Sequence, residues 1–412
     1  MPRPSRSLSR LILLGCLAAS VTAHADEEPA RLKLSGFGTL GIGYHGSDGL
    51  EYRRTTDQSQ GVRGGHLDAG TDSVLGVQLN ASITDQFDAV IQAVSRRRSD
   101  SSSTPDITWA FLRYSPDESL EVRLGRVGTA AQINSDSRLI GYSFLPVRLP
   151  PELLGTAPQD HVDGIDIAYR HPMGDTLLSV RGFLGQQTAH IHSIGRSVST
   201  PNNEVAGLIL GAVRGDLQLR IVAGAARVKN NGDGQGILDG LRATGMNQAI
   251  AAASRLDIAG RMIHFGSADV SYEHGPLRLL GSAFLQTAPD DSALLVPIRS
   301  AYFLAGYRVG AFTPYVAAAR SATSGVTFTT GLPPAPGLTI LDQAATAAVV
   351  STQCNQRSLA LGVRWDFATN RALKLQVDRV HADQSPLVRD DQTPARDQRQ
   401  LTLISATLDF VF

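Results

Sequence analysis

About sixteen short runs of alternating apolar and polar residues, joined by connectors that switch between very short and long, constrain this chain more than any other feature. Alternation with period two puts successive side chains on opposite faces of a strand. The runs fall near residues 34–44, 73–81, 87–95, 107–114, 120–127, 164–170, 176–184 and 205–213. The second half repeats the pattern at 217–227, 262–273, 277–286, 300–309, 312–320, 357–367, 372–380 and 400–412. Short connectors carry turn chemistry, as in Pro116-Asp117, Pro172-Met173-Gly174-Asp175, Gly215-Asp216, Gly275-Pro276, Gly310 and Ala368-Thr369-Asn370. Long connectors begin after Tyr44, Ser95, Val127, Leu184, Arg227, Gln286, Arg320 and Val380. In hydrocarbon every backbone polar group needs an internal partner, and a sheet supplies one everywhere only by closing on itself. The expected fold is therefore all-β: a transmembrane antiparallel β-barrel of about sixteen strands, with short periplasmic turns and long external loops. No apolar run past the first 25 residues approaches the ~18 that a membrane-crossing helix needs, so strands must do any crossing.

The two ends carry their own signals. Arg3, Arg6 and Arg10 precede an apolar stretch from Leu11 to Val21 and then Ala23-His24-Ala25, which reads as a secretory signal removed after Ala25. A lipoprotein signal ending at Cys16 would leave only about five apolar residues after Arg10, too few for its apolar core. The expected mature domain is 26–412, a single barrel. Cys354 is then the only cysteine, so no internal disulfide forms, and the ladder of a closed barrel must hold the chain together. Acidic and basic residues balance at 38 each, which leaves no basic field for nucleic acid. The last residues, 401–412, set Ile404, Ala406, Leu408, Phe410 and Phe412 on one face. Ending on Phe410 and Phe412 resembles the terminal insertion signal by which the barrel assembly machinery receives outer-membrane barrels.

The alternation also fixes which side chains face inward. Leu217, Leu219, Ile221 and Ala223 alternate with Gln218, Arg220 and Val222, and Leu359, Leu361, Val363, Trp365 and Phe367 with Ser358, Gly362, Arg364 and Asp366. A basic residue on the lipid face near midplane costs about 2 to 4 kcal/mol, so the charged face is the inner one. Arg123, Arg181, Arg220, Arg278, Arg308, Arg364 and Lys374 are the expected lining cations, sharing the interior with Glu121, Asp166, Asp366, Asp378 and Asp409. Around Trp109 and Phe265 the pattern leaves the phase open. Phe87, Tyr114, Tyr169, Tyr272, Tyr307, Phe312, Trp365 and Phe410 fall beside short connectors or the terminus, where an interfacial girdle needs amphipathic rings.

Motifs for other chemistry are weak. Gly36-Phe37-Gly38-Thr39-Leu40-Gly41 spells a dinucleotide fingerprint, yet the run continues as a strand, where glycines serve packing and curvature. His190 and His192 have no third ligand nearby, so no metal site is expected. No Ser, His and Asp or Glu cluster nominates a catalytic site, and no cofactor is implied. Residues 236–256 carry a helical pattern inside a long loop, consistent with a short helix on the barrel mouth.

The stretches LGRVGTAAQINSDSRLIGY with VRLPPE (124–152), AGYRVGAFTPYV (305–316), LGVRWDFATNRALKLQVDRV (361–380) and the ending TLDFVF resemble the Gram-negative outer-membrane porins. The resemblance spans nearly the whole chain after the signal. It implies a water-filled sixteen-stranded barrel in the outer membrane, passive diffusion of small hydrophilic solutes and ions, no catalysis, and often a homotrimer among lipids. In general porins a long loop after the fifth strand folds inward, which singles out 128–163 as the constriction loop. Pro146, Pro150 and Pro151 stiffen it, and Asp136, Arg138, Arg148 and Glu152 are its charges, expected to face the basic wall. With both signs present, at most a mild anion preference is expected. A barrel enzyme acting on lipids, or an adhesin using the long loops, is the alternative.

Overall fold

A computed structural model describes residues 32–128, 132, 134–156, 161–193, 196–390 and 398–412; the expected signal segment lies outside them. Sixteen strands close into one antiparallel barrel. The first eight are β1 (Leu32–Tyr44), β2 (Val74–Ser82), β3 (Phe87–Arg96), β4 (Asp106–Tyr114), β5 (Leu120–Gly128), β6 (His161–Met173), β7 (Thr176–Gln187) and β8 (Asn203–Arg214). They are followed by β9 (Leu217–Val228), β10 (Met262–His274), β11 (Leu277–Thr287), β12 (Ile298–Tyr307), β13 (Phe312–Thr323), β14 (Asn355–Ala368), β15 (Arg371–Gln384) and β16 (Arg399–Val411). Each strand pairs with its neighbours in sequence, and β1 closes on β16 from Phe37 opposite Val411 to Tyr44 opposite Ile404. All the expected strands are present, with ends shifted by a few residues.

The outer wall is apolar. Leu361 is 60% exposed, Ile221 58% and Leu208 46%, on a barrel whose inward Lys374 and Asp409 are fully buried. A belt of this extent is a lipid contact, because soluble chains rarely expose large contiguous apolar area. Aromatic rings stack where the girdle was expected, with ring centroids of Phe87 and Tyr114 4.6 Å apart and those of Phe312 and Trp365 5.5 Å apart. Four of the tight turns close through a glycine with positive φ, at Gly174, Gly215, Gly275 and Gly310, and another through Asn370.

The opposite rim carries the long loops, and these are structured. The short strands Leu50–Tyr52, Val62–Arg63 and Val388–Asp390 form a three-stranded sheet over the β15–β16 side of the mouth, and His190–Ser193 with Arg196–Ser199 forms a hairpin. The helical pattern at 236–256 resolves into two helices, α2 (Gln235–Ala243) and α3 (Asn247–Leu256), broken near Gly245 at φ 68°. Together with α4 (Leu338–Val350), unforeseen in the sequence, they bury Leu238, Leu241, Leu256 and Val349 in a cluster of their own. The label α1 belongs to the short helix Pro151–Leu154 of the third loop.

His45 pins the three-stranded sheet. It is 1% exposed, with Nε2 2.9 Å from the Val62 carbonyl and Nδ1 facing the Ser47 amide. Burial pushes its pKa below the ordinary 6.5, against the opposing pull of the Val62 hydrogen bond. Between the folded and unfolded values the unfolded chain binds more protons, so this contribution is complete above pH 6.5 and is lost as pH falls below it. Amide protection factors over residues 45–66, taken against intrinsic exchange at each pH, should therefore fall between pH 7.5 and 5, and His45→Gln should flatten that dependence; equal pH profiles in both proteins would contradict it.

Candidate pore and constriction loop

The third loop leaves β5 and turns into the barrel. A 3-10 turn at Gly141–Ser143, an irregular run through Pro146 and Pro150, and α1 lie against the inner faces of β12 to β16, β1 and β2. Irregular backbone buried there would leave carbonyls orphaned. The wall supplies the missing donors. Lys374 Nζ lies 2.7, 2.8 and 2.9 Å from the carbonyl oxygens of Gly141, Phe144 and Pro146, and 2.9 Å from Asp409. Arg364 donates to the Tyr142 and Phe144 carbonyls and sits 4.6 Å over the Tyr142 ring. Gln376 accepts from the Val147 amide at 2.9 Å and from the Tyr315 hydroxyl at 2.8 Å. Gly141 has no room for a side chain, since a Cβ would run into Asp409 and Thr39.

Arg148 is the main lock. Its guanidinium donates twice to Asp72, at 2.9 and 2.6 Å, once to Asp378 at 2.7 Å, and to the Ser405 hydroxyl. Burial by itself would raise the Asp72 carboxyl, but the Arg148 charge and hydrogen bonds outweigh it and hold Asp72 low. Glu152 is 1% exposed and accepts from Gln356 at 3.0 Å; burial pushes its carboxyl above the usual range.

These positions correct the expected roles of several charges. Arg364 and Lys374 do point inward, yet the loop covers them, so they anchor backbone and do not line water. Arg148 and Glu152 are buried between loop and wall and do not face a solute path, whereas Arg138, also buried, borders the remaining cavity. Arg278 and Arg308 lie at the short-turn rim, one 3.6 Å from Glu273 and the other donating to the Gly310 carbonyl. The remaining residues do meet. Arg123 reaches Asp166 at 2.7 Å and Glu121 at 3.4 Å, and Arg181 takes the second Asp166 oxygen. Asp136 on the loop stays exposed, and its charge acts on both Arg181 and Arg220 across the gap.

The wall from β6 to β12 stands away from the third loop, and the space between them is roofed by residues of the other long loops, among them Ile191, Ile237, Leu294 and Thr352. That space is a cavity of about 450 Å³ whose lining is mainly apolar, including Val162, Phe183, Val205, Phe265 and Ile298, with Asp166 and Arg181 at one side. This apolar lining is what the sequence reading missed, and the undecided phase near Trp109 and Phe265 was its trace. Both side chains belong to inner-wall clusters, so both faces of their strands carry apolar residues. Among the described residues no group of His, Cys, Asp and Glu is arranged to hold a metal; His192 bonds through Nδ1 to the Ser99 carbonyl.

No family model and no curated protein matches the chain. Solved structures do match in fold. The outer-membrane channel DcaP of Acinetobacter baumannii aligns at 11% identity and TM-score 0.54, over 92% of this chain and 97% of its own. OmpF of Salmonella typhi aligns at 11% and 0.53 over the same shares, and the trimer form of OmpT of Vibrio cholerae at 12% and 0.52 over 92% and 99%. The fold is that of the Gram-negative outer-membrane porins. A closed barrel of this fold with a lipid-facing belt is a protein of the cell outer membrane.

Proposed function

We propose that this chain is a non-enzymatic diffusion channel, passing small polar solutes and ions through the half of the lumen that the third loop leaves open. The observation that carries this reading is the loop itself. It is drawn inside the barrel and locked by Lys374 and Arg148, while a cavity of about 450 Å³ remains between it and the opposite wall. A strand-built plug would close the lumen; a single pinned loop narrows it. Ion preference would be set where Asp136 acts on Arg181 and Arg220, and with Arg123, Glu121 and Asp166 beside them three cations balance three carboxylates, so any anion preference is at most mild. A homotrimer is the proposed assembly, by analogy with the trimer form of the Vibrio cholerae protein.

Conductance of the refolded protein in a planar bilayer under a salt gradient tests the reading. Discrete ohmic steps with at most a small anion-directed reversal potential are expected; a folded barrel without steps would overturn the channel, and a cation-directed potential would overturn the anion preference. Asp136→Asn should shift the reversal potential further toward anions, because it removes the exposed carboxylate acting on two guanidinium groups. Glu152→Gln should leave it unchanged, because that carboxyl is sealed from the path. The reverse pattern would remove Asp136 from ion selection.

A further inference from the structure

One rung of the wall opposite the third loop is built in an unusual way. Asp166, Phe183, Gly207, Gly224, Phe265 and Gln286 are successive cross-strand partners on β6 to β11, with all their side-chain positions turned inward. A Cβ on Gly207 would collide with the tip of the Phe183 ring, and one on Gly224 with that of Phe265. Both rings therefore reach over the side-chain positions that the glycines leave empty. Val205 and Ile298 extend the apolar surface, and both phenylalanines line the 450 Å³ cavity. A volume of that size suits a drug-sized molecule, and apolar walls with a few polar groups at the ends are the usual make-up of such sites. The polar ends are an ion-paired Asp166, held by Arg123 and Arg181, and the Gln286 amide, which donates to the Val296 carbonyl at 3.1 Å. With Glu121 3.4 Å from Arg123, two carboxylates balance the two guanidinium groups at the first end, and the site has little field with which to attract an ion.

Resting on the channel reading, we propose that the half-lumen that the third loop leaves open is a binding site for uncharged amphipathic solutes with an aromatic body and a hydroxyl-rich end. The aromatic part lies against Phe183 and Phe265, and the hydroxyls meet Arg181 and Gln286. Phenylalanine rings at a cavity wall pack well against another aromatic ring, offset-stacked or edge to face, which a purely hydrophilic solute cannot use. The channel thus discriminates by apolar surface in addition to size.

Phenyl β-glucoside and methyl β-glucoside form a matched pair of probes, differing only in ring against methyl. Titration calorimetry on the refolded barrel should show the phenyl compound binding at least ten-fold more tightly, and in the bilayer it should produce resolved blocking events that the methyl compound does not. Phe183→Ser with Phe265→Ser should abolish both differences while heat-modifiable mobility and open-channel conductance persist. Equal affinity and equal block by the two glucosides in the unaltered protein would overturn the proposal without any variant. A silent barrel that still prefers the phenyl compound in the calorimeter would sink the channel reading and keep the site; a conducting barrel with no preference would do the opposite.

Discussion

Replacing Arg148 by alanine should release the third loop from the wall. Asp72 and Asp378 converge on this guanidinium in a buried setting, and removing the cation leaves two carboxylates facing each other without compensation. Breaking a buried ion pair from one side costs about 3 to 5 kcal/mol. At about tenfold for every 1.4 kcal/mol, the released population of the loop rises by two orders of magnitude or more. The barrel ladder is independent of this contact, so the cost falls on the loop. Single-channel recordings should show larger and noisier open currents, and amide exchange should accelerate over 139–152 while the strands stay protected. Arg148→Met combined with Asp72→Asn and Asp378→Asn removes the stranded charges along with the cation, and should restore much of the quiet conductance. Quiet currents from Arg148→Ala itself would show that Lys374 and Arg364 suffice to hold the loop.

The barrel was legible because its cause is local and repeated. Alternation, turn residues and loop lengths report the strand period wherever one face meets lipid and the other is polar, as along β9 and β14. What alternation cannot report is what covers the inner face. Arg364 and Lys374 read as inward from their strands, correctly, but whether water or loop backbone lies over them depends on where residues 141–147 travel, more than two hundred residues away in sequence. The same limit applied to Arg148 and Glu152, whose partners Asp72, Asp378 and Gln356 are distant. Near Trp109 and Phe265 the signal failed for a different reason: the lumen there is apolar, so the contrast between faces on which the reading depends is absent. The helix α4 follows Pro333, Pro334 and Pro336 and is rich in alanine and valine, and its polar positions, Thr339, Asp342, Gln343 and Thr346, contrast too weakly with those small residues to mark its period.

At the barrel seam, Phe412→Ala and Gly36→Val should fail together. The Gly36 amide donates to the Phe412 carbonyl at 2.8 Å and the Phe412 amide returns a hydrogen bond to Gly36 at 2.9 Å, making a reciprocal rung at the short-turn end of the closure. The Phe412 ring covers Gly36 and the Phe410 ring covers Gly38, and a Cβ at either glycine would collide with the tip of the ring above it. The glycines of the first strand, which mimic a dinucleotide motif in sequence, are thus the seats of the last two aromatics. Large side chains forced into a filled seat cost typically about 1 to 3 kcal/mol, and the seam must form before any backbone group on β1 or β16 is safe in lipid. Yields of heat-modifiable barrel should fall several-fold for Phe412→Ala and for Gly36→Val, and further for Gly38→Leu, where the displaced Phe410 ring also loses its stack on Phe412 at 6.5 Å. An insertion signal read only as a terminal aromatic predicts otherwise: Gly36→Val, with Phe412 intact, would then assemble like the unaltered chain. Equal losses from the two sides of the contact place the requirement in the seal itself.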